Sequence, residues 1–210
     1  MINIHAIRHL DFRVRLIRPF LCILFLAGCQ QETTLKQIPP GGTILCFGDS
    51  LTHGVGASSG RNYPSVLSEL TGHRVINSGK PGETSSQGLT RLPTVLRNES
   101  PALVVLCHGG NDILQRLDYE TTKANVVAMI NLCKKNEVQV VLIAVPSILS
   151  DSHPLYAQAA HDTEVPIDTS SLGTLIRTDA YTSDQVHLND MGYKKLAEAV
   201  YTRLKADGAL

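Results

Sequence analysis

From residue 43 onward the chain alternates short apolar runs with longer amphipathic stretches. The runs Ile44–Phe47, Arg74–Ile76, Ala102–Cys107 and Val138–Ala144 read as strands. The third and fourth, ALVVLC and VQVVLIA, are β-branched and apolar without a period of two, which is the pattern of strands covered on both faces in a parallel sheet. Arg74–Ile76 is shorter and weaker. Between the strands the period becomes helical. Pro64–Leu70 starts on a proline suited to a first turn, and Thr122–Asn136 sets Val126, Met129, Ile130 and Cys133 at i, i+3, i+4 and i+7. A last helix follows Asn189 as N-cap, with Tyr193, Leu196, Ala197, Val200 and Leu204 as its inner stripe. Strands alternating with such helices predict a three-layer α/β/α sandwich around a mostly parallel sheet. Ligands in that architecture bind beyond the carboxyl ends of the strands.

The first 42 residues do not share this pattern. Arg8, Arg13, Arg15 and Arg18 precede the apolar stretch Phe20–Ala27, which is too short to span a bilayer and has the length of a signal-peptide core. The stretch ends in Leu26-Ala27-Gly28-Cys29, which resembles a bacterial lipobox with Cys29 as the lipid-bearing residue. Gln30 after that cysteine, by resemblance to the sorting rule of diderm bacteria, favours the outer membrane. Residues 1–28 are therefore expected to be a lipoprotein-type signal peptide. Residues 29–42, polar and ending in Pro-Pro-Gly-Gly, read as a tether. This leaves 43–207 as the folded domain of an exported, lipid-anchored protein facing the periplasm.

Composition narrows the classes further. The chain has 210 residues, 43% hydrophobic and 18% charged, with 19 basic and 19 acidic side chains. Removing 1–28 takes away those four arginines and Asp11, leaving 15 basic against 18 acidic residues, a formal charge of −3. A weakly acidic body is a poor binder of nucleic acid phosphates, so that class is set aside. Cys46, Cys107 and Cys133 are an odd set without a CxxC motif and read as buried free thiols. The histidines show no HExxH spacing. Neither a metal nor another cofactor is expected.

Candidate chemistry gathers after the strands. Gly48-Asp49-Ser50-Leu51 breaks the first run abruptly, so Ser50 is either a nucleophile at a strand end or a turn serine. Gly56-Ala57-Ser58-Ser59-Gly60 is a literal G-x-S-x-G. The hydrolase elbow of that pattern requires a strand running straight into it, and here the strand ends nine residues earlier. Ser58 is therefore rejected. Asp184-Gln185-Val186-His187 offers an imidazole with a carboxylate three residues away, or simply a capping aspartate and a surface histidine. His108-Gly109-Gly110-Asn111-Asp112 offers an amide donor, or an Asx-capped turn. Asn77-Ser78-Gly79-Lys80 is a further glycine loop with a backbone N–H to offer. Ile113, Leu114, Ile148 and Leu149 are candidate walls of an acyl pocket, with a plain packing role equally open.

The segments at Gly48–Leu51, Asn77–Lys80, His108–Asp112 and Asp184–His187, in that order along the chain, resemble the SGNH (GDSL) hydrolase family over nearly all of residues 43–206. The stretch Gly82–Pro93 (GETSSQGLTRLP) is similar to the branch that contains bacterial thioesterase I, with arylesterase, thioesterase and lysophospholipase activities. The resemblance implies a flavodoxin-like fold and hydrolysis of acyl esters or thioesters of small molecules through an acyl-serine intermediate. It implies Ser50 as nucleophile, His187 as general base and Asp184 as its orienting acid. It also implies an oxyanion site built from the Ser50 and Gly79 N–H groups and the Asn111 side chain. Asp49 and Asp112 are implied to brace loops. His108 replaces an aliphatic residue of that branch and reads as a structural ring beneath its loop, while the region from Pro146 to Ser183 is shorter than the branch leads one to expect. Two other functions stay open: a carbohydrate O-acetylesterase, and a lipoprotein that binds glycan or lipid without catalysis.

Overall fold

Burial on both faces decides which apolar runs become central strands. In the computed structural model, which describes residues 34–147 and 150–210, the strands are Thr43–Gly48 (β1), Arg74–Gly79 (β2), Leu103–Cys107 (β3), Gln139–Ile143 (β4) and Ile167–Asp168 (β5). They form one sheet in the order β2-β1-β3-β4-β5 with every neighbouring pair parallel. All of β3 is buried, as is β1 beyond Thr43. The helices are Ser50–His53 (α1), Tyr63–Thr71 (α2), Ser85–Glu99 (α3), Gly110–Leu114 (α4), Tyr119–Lys135 (α5), Pro154–Thr163 (α6), Ser171–Ile176 (α7) and Asp190–Ala206 (α8). Helix α3 packs on α5 and α5 on α6, while α2 packs on α8 and α8 on α7, so two helical layers flank the sheet. This is the expected three-layer α/β/α fold. Asn189 caps α8 as expected, its side chain accepting the Gly192 N–H at 3.0 Å.

The strand order positions the site. From β1 the chain crosses over to β2 on one side, and from β3 to β4 on the other. The loops leaving β1 and β3 therefore diverge, opening a crevice at this switch point. Ser50 is the first residue of α1, directly after β1, and Asn111 lies at the start of α4, directly after β3.

Several elements differ from the sequence reading, each for a local reason. Strand β2 runs on to Gly79, so Asn77, Ser78 and Gly79 pair with Cys46, Phe47 and Gly48 instead of forming a loop. It is an edge strand and mixes exposed with half-buried positions, which blunts its apolar signature. Helix α3 escaped notice because its buried stripe is Ser85, Gly88, Leu92 and Leu96, and Pro93 interrupts it. The capping box Thr84…Gln87 at its start was the legible mark. Strand β5 is two residues long, and α6 opens on Pro154 after His153 as its N-cap.

The segment read as a tether is fastened to the domain from Leu35. The Leu35 N–H donates to the Asp207 carbonyl at 2.7 Å and the Ile38 N–H to that of Ala209 at 2.8 Å. Ile38 and Ala209 are both buried, so the hydrophobic core extends past both ends of 43–207. The signal peptide and Cys29 lie outside the described residues. Cys46, Cys107 and Cys133 are buried free thiols. Burial pushes Cys46 and Cys133 up to about 12, against a lowering contact from Tyr63 in the case of Cys46, which leaves them unreactive.

Candidate active site

A tight turn delivers the acid and the imidazole together. Thr182 and Leu188 pair antiparallel, and the Ser183 N–H donates to the His187 carbonyl at 3.0 Å. Inside this closed loop Asp184 Oδ1 accepts the N–H groups of Val186 and His187, each at 2.9 Å. Its carboxylate also faces His187 Nδ1 at 2.8 and 3.0 Å. The Val186 N–H first, and then the His187 contacts, hold Asp184 below the usual carboxylate range against a smaller opposing effect of burial. An ionised carboxylate can only accept, so Nδ1 carries the ring proton and donates it. Nε2 is left with its lone pair toward Ser50 Oγ, 3.0 Å away. Ser50, Asp184 and His187, with 137 positions from the first to the last in sequence, thus form one continuous hydrogen-bonded chain.

Asp49 fixes the start of α1. Its buried carboxylate accepts the Leu51 N–H at 3.1 Å and also the Gly110 N–H, linking the turn after β1 to the turn after β3. Burial pushes its pKa up, with the facing His108, these two donors and His187 working against that rise. Asp112, also buried, accepts the Ser85 N–H at 2.8 Å and its hydroxyl at 2.6 Å, tying α4 to the start of α3. Both aspartates brace loops, as the resemblance implied. Asn111 donates one Nδ2 hydrogen to the Glu83 carbonyl at 3.0 Å. That fixes the plane of the amide and leaves its second hydrogen available.

The expected second backbone donor needs correction. Gly79 lies within β2, and its N–H is taken by Asn77 Oδ1 at 2.9 Å. It does not line the cavity beside Ser50, whereas Gly82 does. The Gly82 N–H meets no acceptor within the described chain. The shift of three residues follows from the extra length of β2, which carries the chain past Gly79 before it turns over the site.

That cavity, about 410 Å³, opens beside Ser50, Asn111 and His187. Ile113 and Leu114 line it as expected, while Ile148 and Leu149 lie outside the described residues. Leu51, Val55, Val145, Ile176 and Val186 complete an apolar wall that sequence reading missed, since they come from separate segments. No lysine or arginine is among the lining residues.

The decoy G-x-S-x-G has a different task. The loop between α1 and α2 that contains it packs against the turn bearing Asp184 and His187. The Ser58 N–H donates to Asp190 at 2.6 Å, and the Tyr193 hydroxyl donates to the Val55 carbonyl at 2.8 Å. Gly56 has φ +90°, and a Cβ there would sit 2.0 Å from Ser183 Oγ. Gly56→Ala is therefore expected to destabilise the fold by about 1–3 kcal/mol through strain and overlap. Thermal unfolding measures this, and an unchanged melting temperature would refute the bracing role.

Comparison with known proteins agrees with this geometry. The family model for the GDSL-like Lipase/Acylhydrolase family matches residues 46–195. Esterase TesA of Pseudomonas aeruginosa is 32% identical over 127 residues, covering 58% of this chain and 63% of that protein. Thioesterase 1/protease 1/lysophospholipase L1 of Escherichia coli is 36% identical over 83 residues, covering 39% of this chain and 40% of that protein. The matched part thus spans less than two thirds of the length of these curated relatives. Among solved structures, that of TesA superposes with a TM-score of 0.71 at 24% identity, over 79% of this chain and 99% of that one. The psychrotrophic esterase EstA from Pseudoalteromonas sp., inhibited by monoethylphosphonate, superposes at 0.70 with 21% identity, over 79% and 97%. With a family match across most of the folded domain, this chain belongs to the GDSL-like lipase/acylhydrolase family.

Proposed function

We propose that this protein is a serine hydrolase of acyl esters and thioesters of small molecules, working through an acyl-serine intermediate. The observation that carries the reading is the hydrogen-bonded chain Asp184–His187–Ser50 opening into an apolar cavity. Ser50 Oγ attacks the acyl carbonyl carbon as its proton passes to His187 Nε2, and Asp184 stabilises the imidazolium that forms. The Ser50 N–H, the Gly82 N–H and the Asn111 amide supply donors to the oxyanion. His187 then protonates the departing alkoxide or thiolate. In the second half-reaction it takes a proton from water, which attacks the acyl carbon, and then returns that proton to Ser50 Oγ as the acyl–oxygen bond breaks, releasing the acid and free Ser50. The chain's own residues account for each proton moved in these steps.

The wall formed by Ile113, Leu114, Val145 and Ile176 favours an acyl chain longer than acetyl, and a lining without lysine or arginine favours an uncharged one. The test is a series of p-nitrophenyl esters and acyl thioesters from two to twelve or so carbons. We expect kcat/KM to rise with chain length by roughly 4-fold per buried methylene until the cavity is filled. Maximal activity on acetate esters would favour the O-acetylesterase instead. No turnover together with no fluorophosphonate adduct would favour a binding protein. We further read the protein as exported and lipid-anchored at Cys29, with the outer membrane preferred. The residues Leu26–Cys29 and Gln30 support this reading.

A further inference from the structure

His108 was expected to be a structural ring beneath its loop, and both of its ring nitrogens and its carbonyl are engaged. It is completely buried. The Gly109 N–H donates to His108 Nδ1 at 3.0 Å, so the ring proton resides on Nε2, which faces Glu83 Oε2 at 3.2 Å. The Tyr156 hydroxyl donates to the His108 carbonyl at 2.8 Å. Helix α3 leaves room for this ring: a Cβ on Gly88 would sit 2.2 Å from Nε2.

Glu83 is held from the other side by Arg91, whose Nε and Nη2 donate to its carboxylate at 2.6–3.1 Å. Arg91 also reaches Ser78 and lies over the Phe47 ring, 4.2 Å from its centroid. Burial alone would raise the Glu83 pKa. The hydrogen bonds from His108 and Arg91 and the Arg91 charge outweigh burial and bring it down to about 2, so the carboxylate stays ionised. Buried ionic clusters are costly relative to apolar packing of the same volume, so their presence asks for a reason beyond stability.

The reason lies in the backbone on either side. Glu83 follows Gly82, and its carbonyl accepts the Asn111 amide. Gly109, bound by the His108 ring, is the cap of α4, the helix that carries Asn111. We infer that His108 is a positioning residue for the oxyanion site: its two ring nitrogens join the loop offering the Gly82 N–H to the turn offering the Asn111 amide, fixing their separation. This inference rests on the esterase reading above and adds to it a residue that touches no reacting atom.

The test is a double-mutant cycle of His108→Leu with Asn111→Ala. kcat and KM are measured on one p-nitrophenyl ester and referred to sites titrated with fluorophosphonate. In the wild-type background His108→Leu should lower kcat about 10-fold with KM within about 2-fold, because small displacements of preorganised donors are costly. In the Asn111→Ala background the same substitution should cost less than about 3-fold, since one of the positioned donors is already gone. His108→Gln, able to donate to Glu83 from a similar position, should recover most of the lost rate. If the leucine variant does not fold by circular dichroism, His108→Asn, too short to reach Glu83, takes its place in the cycle. An equal loss in both backgrounds, or kcat within about 2-fold of wild type, overturns the role of His108 while leaving the esterase reading intact. A wild-type protein with no esterase activity removes that reading and this inference together.

Discussion

Ser50→Ala is expected to lower kcat/KM on p-nitrophenyl esters by at least about 10⁴-fold, leaving only the catalysis that oxyanion donors and binding give without a nucleophile. The expectation follows from the position of the hydroxyl. The Ser50 hydroxyl donates to His187 Nε2 at the end of the Asp184–His187 chain, and its side chain is half-buried at the cavity rather than packed in the core. Its removal deletes one hydrogen bond, so the melting temperature should move little and the variant should remain folded. Fluorophosphonate labelling should disappear along with turnover. Activity near that of the wild type would transfer the nucleophile elsewhere, and the loop serine Ser58 would then need to be tested despite its contact with Asp190.

The second large effect belongs to Asn111. Asn111→Ala should reduce kcat by roughly 10²–10³-fold with KM little changed, the signature of a donor that acts mainly on the charge developing in the transition state. Asn111→Asp should be at least as damaging. It preserves the shape but sets a negative charge and an acceptor where the oxyanion forms. One N–H of Asn111 is spent on the Glu83 carbonyl, so the variant also releases the loop carrying Gly82. Part of the loss therefore reports on loop position, and the cycle with His108 separates that part. A kcat within about 5-fold of wild type would exclude Asn111 from the oxyanion site.

The residues with chemistry to offer were legible because that chemistry needs particular side chains at strand ends. Ser50 ends an apolar run abruptly, Asn111 follows two glycines after β3, and Asp184 and His187 share a short turn. Gly79 was misassigned for a physical reason. A backbone N–H carries no residue signature, and the choice between Gly79 and Gly82 depends on where β2 stops. That boundary is set by pairing with β1, which consumes Asn77 to Gly79. Helix α3 was similarly hidden, since its inner face includes Gly88 to admit His108 from the turn after β3.

Periodicity and side-chain type by themselves indicated the layered parallel architecture and the free buried thiols, and singled out Ser50, Asn111, Asp184 and His187 as candidates whose roles the family resemblance then implied. Those properties are local: burial on two faces writes an apolar run, and a proton relay needs an imidazole and a carboxylate. Only the tertiary structure decided that Gly82 replaces Gly79 at the cavity, that the chain from Leu35 joins the core, and that His108 grips Glu83 and Gly109. Each of these depends on contacts between segments distant in sequence, where strand pairing and packing fix positions that no single stretch encodes.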